Sequence, residues 1–222
     1  MNEKFARIFD IDALGKELGG QGTEIPGPGG HSMFRIDWTP ELAEKLCARI
    51  REEMAGCYDK EICHCGSAPM WVMAAALEAM YPASVTFTPP AAGVELKLHN
   101  LEQGEWNPAG EAEFDVRRDG KTVYITYKAD DPNKPQLYGG GHHSYNPELI
   151  PLVRTPVVEA DEHVCLTGNS SYNVTMSIAN SYFTGCRSFS IMGAGPGGDM
   201  SAYICAVSHC DEKKPGDATP VL

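Results

Sequence analysis

Long apolar runs, a secretory leader and a surplus of basic residues are all lacking in this sequence of 222 residues. No apolar run approaches the roughly 20 residues that a membrane-spanning helix needs, and the N-terminal stretch MNEKFARIFDID has no apolar signal segment. The chain has 18 Lys and Arg against 30 Asp and Glu, a formal net charge of −12. We therefore expect a cytoplasmic protein with neither a membrane nor long nucleic acid as partner, because binding of long DNA or RNA needs many contacts between basic side chains and phosphates.

Two common catalytic signatures are also missing. There is no G-x-S-x-G elbow, which argues against a serine hydrolase. The segment GAGPGG at residues 193–198 is neither the dinucleotide-binding fingerprint nor a Walker A loop, since no Gly-Lys-Ser/Thr follows it. We interpret this segment as a flexible turn.

Eight cysteines are present, several of them in apolar runs typical of buried strands. That placement favours free thiols in a reducing compartment over a disulfide framework. The run Cys63-His64-Cys65 suggests a metal site, but alternate residues of a strand point to opposite faces, and structural zinc sites use wider spacing. The sequence requires no cofactor. Two alternatives stay open: a divalent metal such as manganese as a cofactor, and an unrelated metal-dependent enzyme that uses this Cys/His-rich edge.

Two segments, residues 61–100 and 162–210, share one order of elements. Each has a short buried strand, a glycine with small polar residues, a helix, a second strand, a Pro/Gly-rich loop and a last strand that ends at histidine. The predicted strands are 62–65, 85–88 and 94–99 in the first copy and 164–167, 189–192 and 202–209 in the second, and the predicted helices are 70–80 and 172–183. The pattern predicts an α/β protein of two diverged units in tandem, residues 1–105 and 106–222, with mixed sheets and a pseudo-twofold arrangement.

The flanking segments add further elements. We predict a strand at 33–38, a helix at 40–54 capped by Thr39, and a β-hairpin turning at Asp119-Gly120. A weaker helix is predicted at 146–153. Two long glycine-rich stretches, 19–30 and 130–141, are interpreted as loops that either cover a ligand or are mobile segments.

The two strand-to-helix junctions are the first candidate binding site. A helix start presents free N–H groups and a positive dipole end, and ligands of open α/β sheets bind at that edge. The candidate ligand-binding residues there are Gly66, Ser67, Gly168, Asn169, Ser170 and Ser171. The alternative is that these residues only cap the helices.

Histidines supply the candidate catalytic groups, because histidine transfers protons near neutral pH. His99 and His209 end the same strand of the two copies, and His142 and His143 lie in the stretch GGGHHSY. His31, in GPGGHS, has a similar place in the first half and is a candidate ligand-binding residue. Each has a structural alternative as a strand-end or loop residue.

One family resemblance rests on the stretch Gly66-Ser67-Ala68-Pro69-Met70-Trp71 and on Val207-Ser208-His209 at the end of the second copy, with Leu98-His99-Asn100 as its counterpart. This pattern resembles the small CRISPR-associated ring nucleases. The resemblance implies a Rossmann-like, CARF-like fold that binds and cleaves cyclic tetra-adenylate, the second messenger of type III CRISPR defence.

The sequence departs from that family at two places. The family has an aspartate before the proline of the loop between the last two strands, where this chain reads Thr88-Pro89 and Ala194-Gly195-Pro196. It also has a histidine in the helix after the tryptophan, where this chain reads Ala76-Leu77-Glu78.

The expected function is therefore binding and cleavage of a cyclic oligoadenylate by attack of its own 2′-hydroxyl, giving linear products and switching off type III CRISPR signalling. A non-catalytic sensor or sponge for a cyclic nucleotide is the first alternative, and the metal-dependent enzyme is the second. Whether the chain forms a homodimer is left open.

Overall fold

The computed structural model describes residues 4–26, 32–88, 95–104, 113–128, 150–169, 172–193, 195 and 202–221. Within these ranges the protein is a mixed α/β fold. The helices are α1 (Ile11–Glu17), α2 (Pro40–Met54), α3 (Met70–Met80) and α4 (Tyr172–Asn180), with a short 3-10 helix at Ile150–Leu152. The strands are β1 (Arg7–Asp10), β2 (Gly22–Pro26), β3 (Ser32–Ile36), β4 (Glu61–Cys65), β5 (Ser84–Thr88), β6 (Leu96–Lys97), β7 (Glu102–Gln103), β8 (Glu113–Asp119), β9 (Thr122–Lys128), β10 (Arg154–Thr155), β11 (His163–Asn169), β12 (Ser188–Gly193), β13 (Ala202–Ser208) and β14 (Ala218–Pro220).

The first sheet has the order β1-β4-β5-β6. Strands β1, β4 and β5 are parallel, and β6 runs antiparallel to β5. The carboxyl ends of the parallel strands meet at one edge, where Cys65 lies opposite Thr88.

The second sheet has the order β14-β13-β12-β11-β9-β8. Its central strands β9, β11 and β12 are parallel, and β13 runs antiparallel to β12. The series β9-β11-β12-β13 therefore has the same directions as β1-β4-β5-β6. The predicted hairpin is confirmed: β8 and β9 pair around the turn, with Asp119 opposite Thr122.

Helices α3 and α4 pack between the two sheets. Helix α3 is buried on all sides, which fits its composition of Trp, Met, Leu, Val and Ala. It contacts α2 and α4 as well as strands β12 and β13 of the second sheet. One continuous apolar core results, and it runs from Phe9 and Ile62 in the first sheet to Phe189 and Ile204 in the second.

Several predicted elements are confirmed at their boundaries. Helices α2 and α3 begin and end where the sequence predicts, and the Thr39 hydroxyl accepts the Leu42 N–H at 3.3 Å as the predicted cap. Local signals suffice there because a helix start depends on residues within one turn.

Other predictions need correction. The stretch 19–30, predicted as a loop, contains strand β2, which pairs with β3. The helix predicted to reach residue 183 ends at Asn180, and the strand predicted at 94–99 is reduced within the described residues to Leu96–Lys97. The described part of the segment 146–153 forms only the 3-10 turn, and β1 and α1 were not predicted. No helix among the described residues combines the length and apolar character needed to cross a membrane.

Candidate functional site

The two strand-to-helix junctions open on the same side of the molecule. At the start of α3, Met70 lies beside the carboxyl end of β12: a Cβ built on Gly193 would be 3.6 Å from the Met70 Cβ. At the start of α4, the Tyr172 hydroxyl lies 3.2 Å from His64 Nε2 on β4, and its ring centroid is 4.0 Å from that of Phe87 on β5. Each helix therefore starts against the other sheet, and the carboxyl edges of both sheets form one common edge.

The first junction, residues 66–69, is held by a carboxylate. Gly66 has a φ of +136°, and a Cβ there would lie 3.1 Å from Ile11 Cβ, so only glycine fits without strain. The Ser67 backbone N–H and the Ser67 hydroxyl both donate to Asp12 Oδ2, at 2.7 and 2.9 Å. The sequence pattern predicts that these groups bind a phosphate. In the structure they bind Asp12 instead.

Free backbone N–H donors are present at the start of α3, directly after the first junction. Helix α3 starts without a side-chain cap, because Pro69 occupies the cap position. The N–H groups of Met70 and Trp71 donate to no residue that the structure describes. Two cations lie near this junction: Lys16 Nζ is 4.5 Å from the centroid of the Phe34 ring, and Arg35 is exposed on β3. Neither forms an ion pair with a described acidic residue.

The second junction differs from the sequence-based interpretation. Gly168 and Asn169 lie in strand β11, paired with Tyr127 and Lys128 of β9, and not in the loop. A Cβ on Gly168 would lie 2.6 Å from the Tyr127 carbonyl oxygen. Glycine is therefore required here by strand pairing. Ser170 and Ser171 lie outside the described residues.

His64 forms a buried contact between the two halves. Its ring lies 5.2 Å from Phe87 and 5.8 Å from Tyr172, centroid to centroid. Burial lowers the pKa of His64 to about 3, so the imidazole is neutral at physiological pH. Its Nδ1 has no hydrogen-bond partner among the described residues.

The Cys63-His64-Cys65 run points to two faces, as expected of a strand. Cys63 Sγ lies 3.4 Å from Thr88 Oγ1, on the face opposite to the His64–Phe87–Tyr172 contact. Burial raises the pKa of Cys65 to about 11. Within the described ranges no group of three His, Cys, Asp or Glu side chains is arranged to hold a metal ion.

His99 and His209 lie at the opposite edge of the sheets. Because β6 and β13 are antiparallel to their neighbours, their last residues lie beside the amino ends of β5 and β12. The His99 N–H donates to Ser177 Oγ, and the His209 N–H donates to the Arg187 carbonyl just before β12. Strands β5 and β12 have five and six residues, so each separates its histidine from the common edge by about 15–20 Å. The structure therefore does not bring these histidines to the junctions.

That opposite edge contains cavities of its own. One of about 280 Å³ is lined by Cys47, Arg51, Glu78 and His209, and the Arg51 guanidinium bonds the Glu78 carboxylate across it. His209 also has Nε2 at 2.6 Å from the Phe183 carbonyl, a contact in which Nε2–H donates. Protein contacts therefore already engage Arg51, Glu78 and His209 on this side.

The remaining candidates, His31, His142 and His143, lie outside the described residues, as does the side chain of Asn169. Sequence reasoning missed Asp12, although it follows strand β1 directly at the carboxyl edge. The motif Phe9-Asp10-Ile11-Asp12 indicates such a position, because acidic residues follow the apolar end of a strand. The first of them, Asp10, caps α1 by accepting the Ala13 N–H at 2.9 Å.

Comparison with known proteins adds no assignment. No family model matches the chain, and no curated protein matches it either.

Proposed function

We propose that this chain binds a small cyclic oligoadenylate across the common edge of its two sheets. The observation that carries this proposal is the placement of the two junctions on one side, each helix start packed against the other half. In open α/β sheets, ligands bind at the carboxyl edge, where helix N-termini present free N–H groups.

The proposal includes a tandem duplication of Rossmann-like units. It is supported by the shared strand directions of β1-β4-β5-β6 and β9-β11-β12-β13, and by the reciprocal contacts of α3 and α4. Two such units create a pseudo-twofold axis between the helices. A cyclic tetranucleotide is itself close to two-fold symmetric, so the two junctions would meet opposite phosphates of one ring.

The first junction carries cations as well as the carboxylates of Asp10 and Asp12. The net charge of −12 repels anions at long range, but Lys16 and Arg35 stand beside the first junction without a described acidic partner. The free N–H groups of Met70 and Trp71 would bond a phosphate, in place of the Ser67 donors already bound to Asp12.

Binding without cleavage, as in a sensor or a sponge, is the function that this arrangement supports best. His99 and His209 stand at the far edge, and the family's aspartate is replaced by Thr88. Cleavage is the second candidate, and it depends on His142 or His143. Both histidines follow β9 in the sequence, and the last residue of β9, Lys128, lies at the same carboxyl edge as the junctions. A ribonucleotide ring supplies its own 2′-hydroxyl nucleophile, so one positioned histidine would suffice there.

Thermal melting with cyclic oligoadenylates of different ring sizes tests the proposal. Free ligand at about 100 times its dissociation constant should stabilise the folded state by about 2.7 kcal/mol. For a chain of this size that corresponds to a rise in Tm of about 5–10 °C. The same rise with linear oligoadenylate, or none with any ring, would contradict recognition of a cyclic ligand.

Chromatography of the ligand after incubation separates the two candidates. Intact ligand indicates a sensor or sponge. Linear products indicate a ring nuclease, and the matched variants then assign the catalyst: we expect His142→Ala or His143→Ala to abolish turnover and His209→Ala to leave it unchanged.

A further inference from the structure

A cavity of about 250 Å³ lies beside the first junction, under the β2–β3 hairpin. Its apolar walls come from Phe34, Trp38 and Pro69, together with Ile25 on the hairpin. Its polar wall comes from Asp12, Ser67 and Arg35. The volume is smaller than that of a typical drug-sized site and is suited to a single flat ring system.

The polar wall of this cavity combines acceptors and donors, since Arg35 lines it together with Asp12. Asp12 Oδ2 receives both the N–H and the hydroxyl of Ser67, so the Ser67 proton is already used. Asp12 Oδ1 accepts no hydrogen bond from any residue that the structure describes. The group of the occupant that faces Asp12 Oδ1 must therefore be a donor, since a carbonyl placed there would leave two acceptors opposed.

The surroundings restrict the occupant further. Aromatic and proline side chains form flat apolar walls, on which a heteroaromatic ring stacks. Arg35 lines the cavity, and Lys16 Nζ lies 4.5 Å from the centroid of the Phe34 ring that forms one of its walls, so both cations suit a phosphate attached to the heteroaromatic ring. A nucleotide whose base carries an exocyclic amino group meets these requirements. Adenine, cytosine and guanine all carry one, and adenine is the base of the ligand proposed above.

We infer that this cavity holds one adenine of the bound ring, with Asp12 Oδ1 accepting a hydrogen bond from the exocyclic amine. This inference rests on the proposed function and adds base selectivity to it. Hypoxanthine, which has a carbonyl where adenine has the amine, would face the carboxylate with a second acceptor and bind less tightly.

The substitution Asp12→Asn tests the inference by exchanging an acceptor for a donor. The asparagine carbonyl can still accept from Ser67, while its NH₂ group replaces the free carboxylate oxygen. Calorimetric titration with cyclic tetra-adenylate and cyclic tetra-inosinate gives the readout. For the wild type we expect adenine to be preferred by about ten- to a hundredfold, and for Asp12→Asn we expect that preference to disappear or reverse.

Glu17→Gln is the matched control, since it removes one negative charge from the same helix outside the cavity. It should keep the wild-type preference for adenine. Phe34→Ala gives an independent test that leaves the Asp12–Ser67 contact in place, and it should weaken adenine binding by about tenfold or more through loss of stacking.

The outcomes separate this inference from the function on which it rests. If the wild type binds neither ring, the proposed function fails. If it binds both rings equally well, or if folded Asp12→Asn and Phe34→Ala bind like the wild type, the ligand stays a cyclic nucleotide but the adenine site is not this cavity. Should Asp12→Asn fail to show a cooperative melting transition, Phe34→Ala decides alone.

Discussion

At about pH 4.5 the protein is expected to be roughly 2–3 kcal/mol less stable than at neutral pH because of His64 alone. Burial lowers the pKa of this histidine from 6.5 to about 3. Below pH 6.5 the unfolded chain binds a proton at His64 that the folded chain does not bind. Stability from this group is therefore complete above pH 6.5 and falls as the pH drops towards 3.

Urea unfolding of the wild type and of His64→Gln at both pH values measures this contribution. Glutamine does not titrate, and its amide can still reach the Tyr172 hydroxyl that lies 3.2 Å from His64 Nε2. His99 and His163 also have pKa values lowered by burial. They change stability with pH equally in both proteins, so their contribution cancels in the comparison. Equal losses of stability in the two proteins would show that His64 is not buried as described.

Gly168→Ala should destabilise the fold by about 1–3 kcal/mol, whereas Gly193→Ala should change stability by less than about 0.5 kcal/mol. A Cβ at Gly168 meets the Tyr127 carbonyl oxygen at 2.6 Å, and a backbone atom of a paired strand cannot move aside cheaply. At Gly193 the nearest atoms of the described residues are Met70 Cβ at 3.6 Å and Met70 Cγ at 4.0 Å, both ordinary contacts.

The two glycine variants form a matched pair. Gly168 and Gly193 lie near the carboxyl ends of β11 and β12, which are parallel neighbours, and each substitution adds one methyl group. Thermal melting without ligand is sufficient to compare them. A stable Gly168→Ala protein would mean that β11 does not pair with β9 up to this point. Gly168 would then lie in a loop beside the ligand, as the sequence predicts.

Much of the fold was predictable because its signals are local. The Thr39 cap and Pro40 mark the start of α2, and Asp119-Gly120 marks the β8–β9 hairpin. Strand β1 was missed because it has only four residues, Arg7–Asp10, with charge at both ends. It exists through its pairing with β4, more than 50 residues away, and no local pattern shows such a partner.

The candidate site was less predictable, since it depends on strand direction. The sequence shows that His99 and His209 end strands, but not that these strands are antiparallel to their neighbours. That single property places both histidines at the far edge. In the same way, Ser67 looks like a free donor in the sequence, and only the position of α1 brings Asp12 within 2.7 Å of its N–H.

Hydrogen–deuterium exchange with and without cyclic tetra-adenylate tests whether the two junctions share one ligand site. We expect slower exchange at both helix starts, residues 70–73 and 172–176, with unchanged exchange at residues 186–188 and 208–213 of the opposite edge. Protection confined to the opposite edge, or to one helix start alone, would show that the two junctions do not share a ligand site.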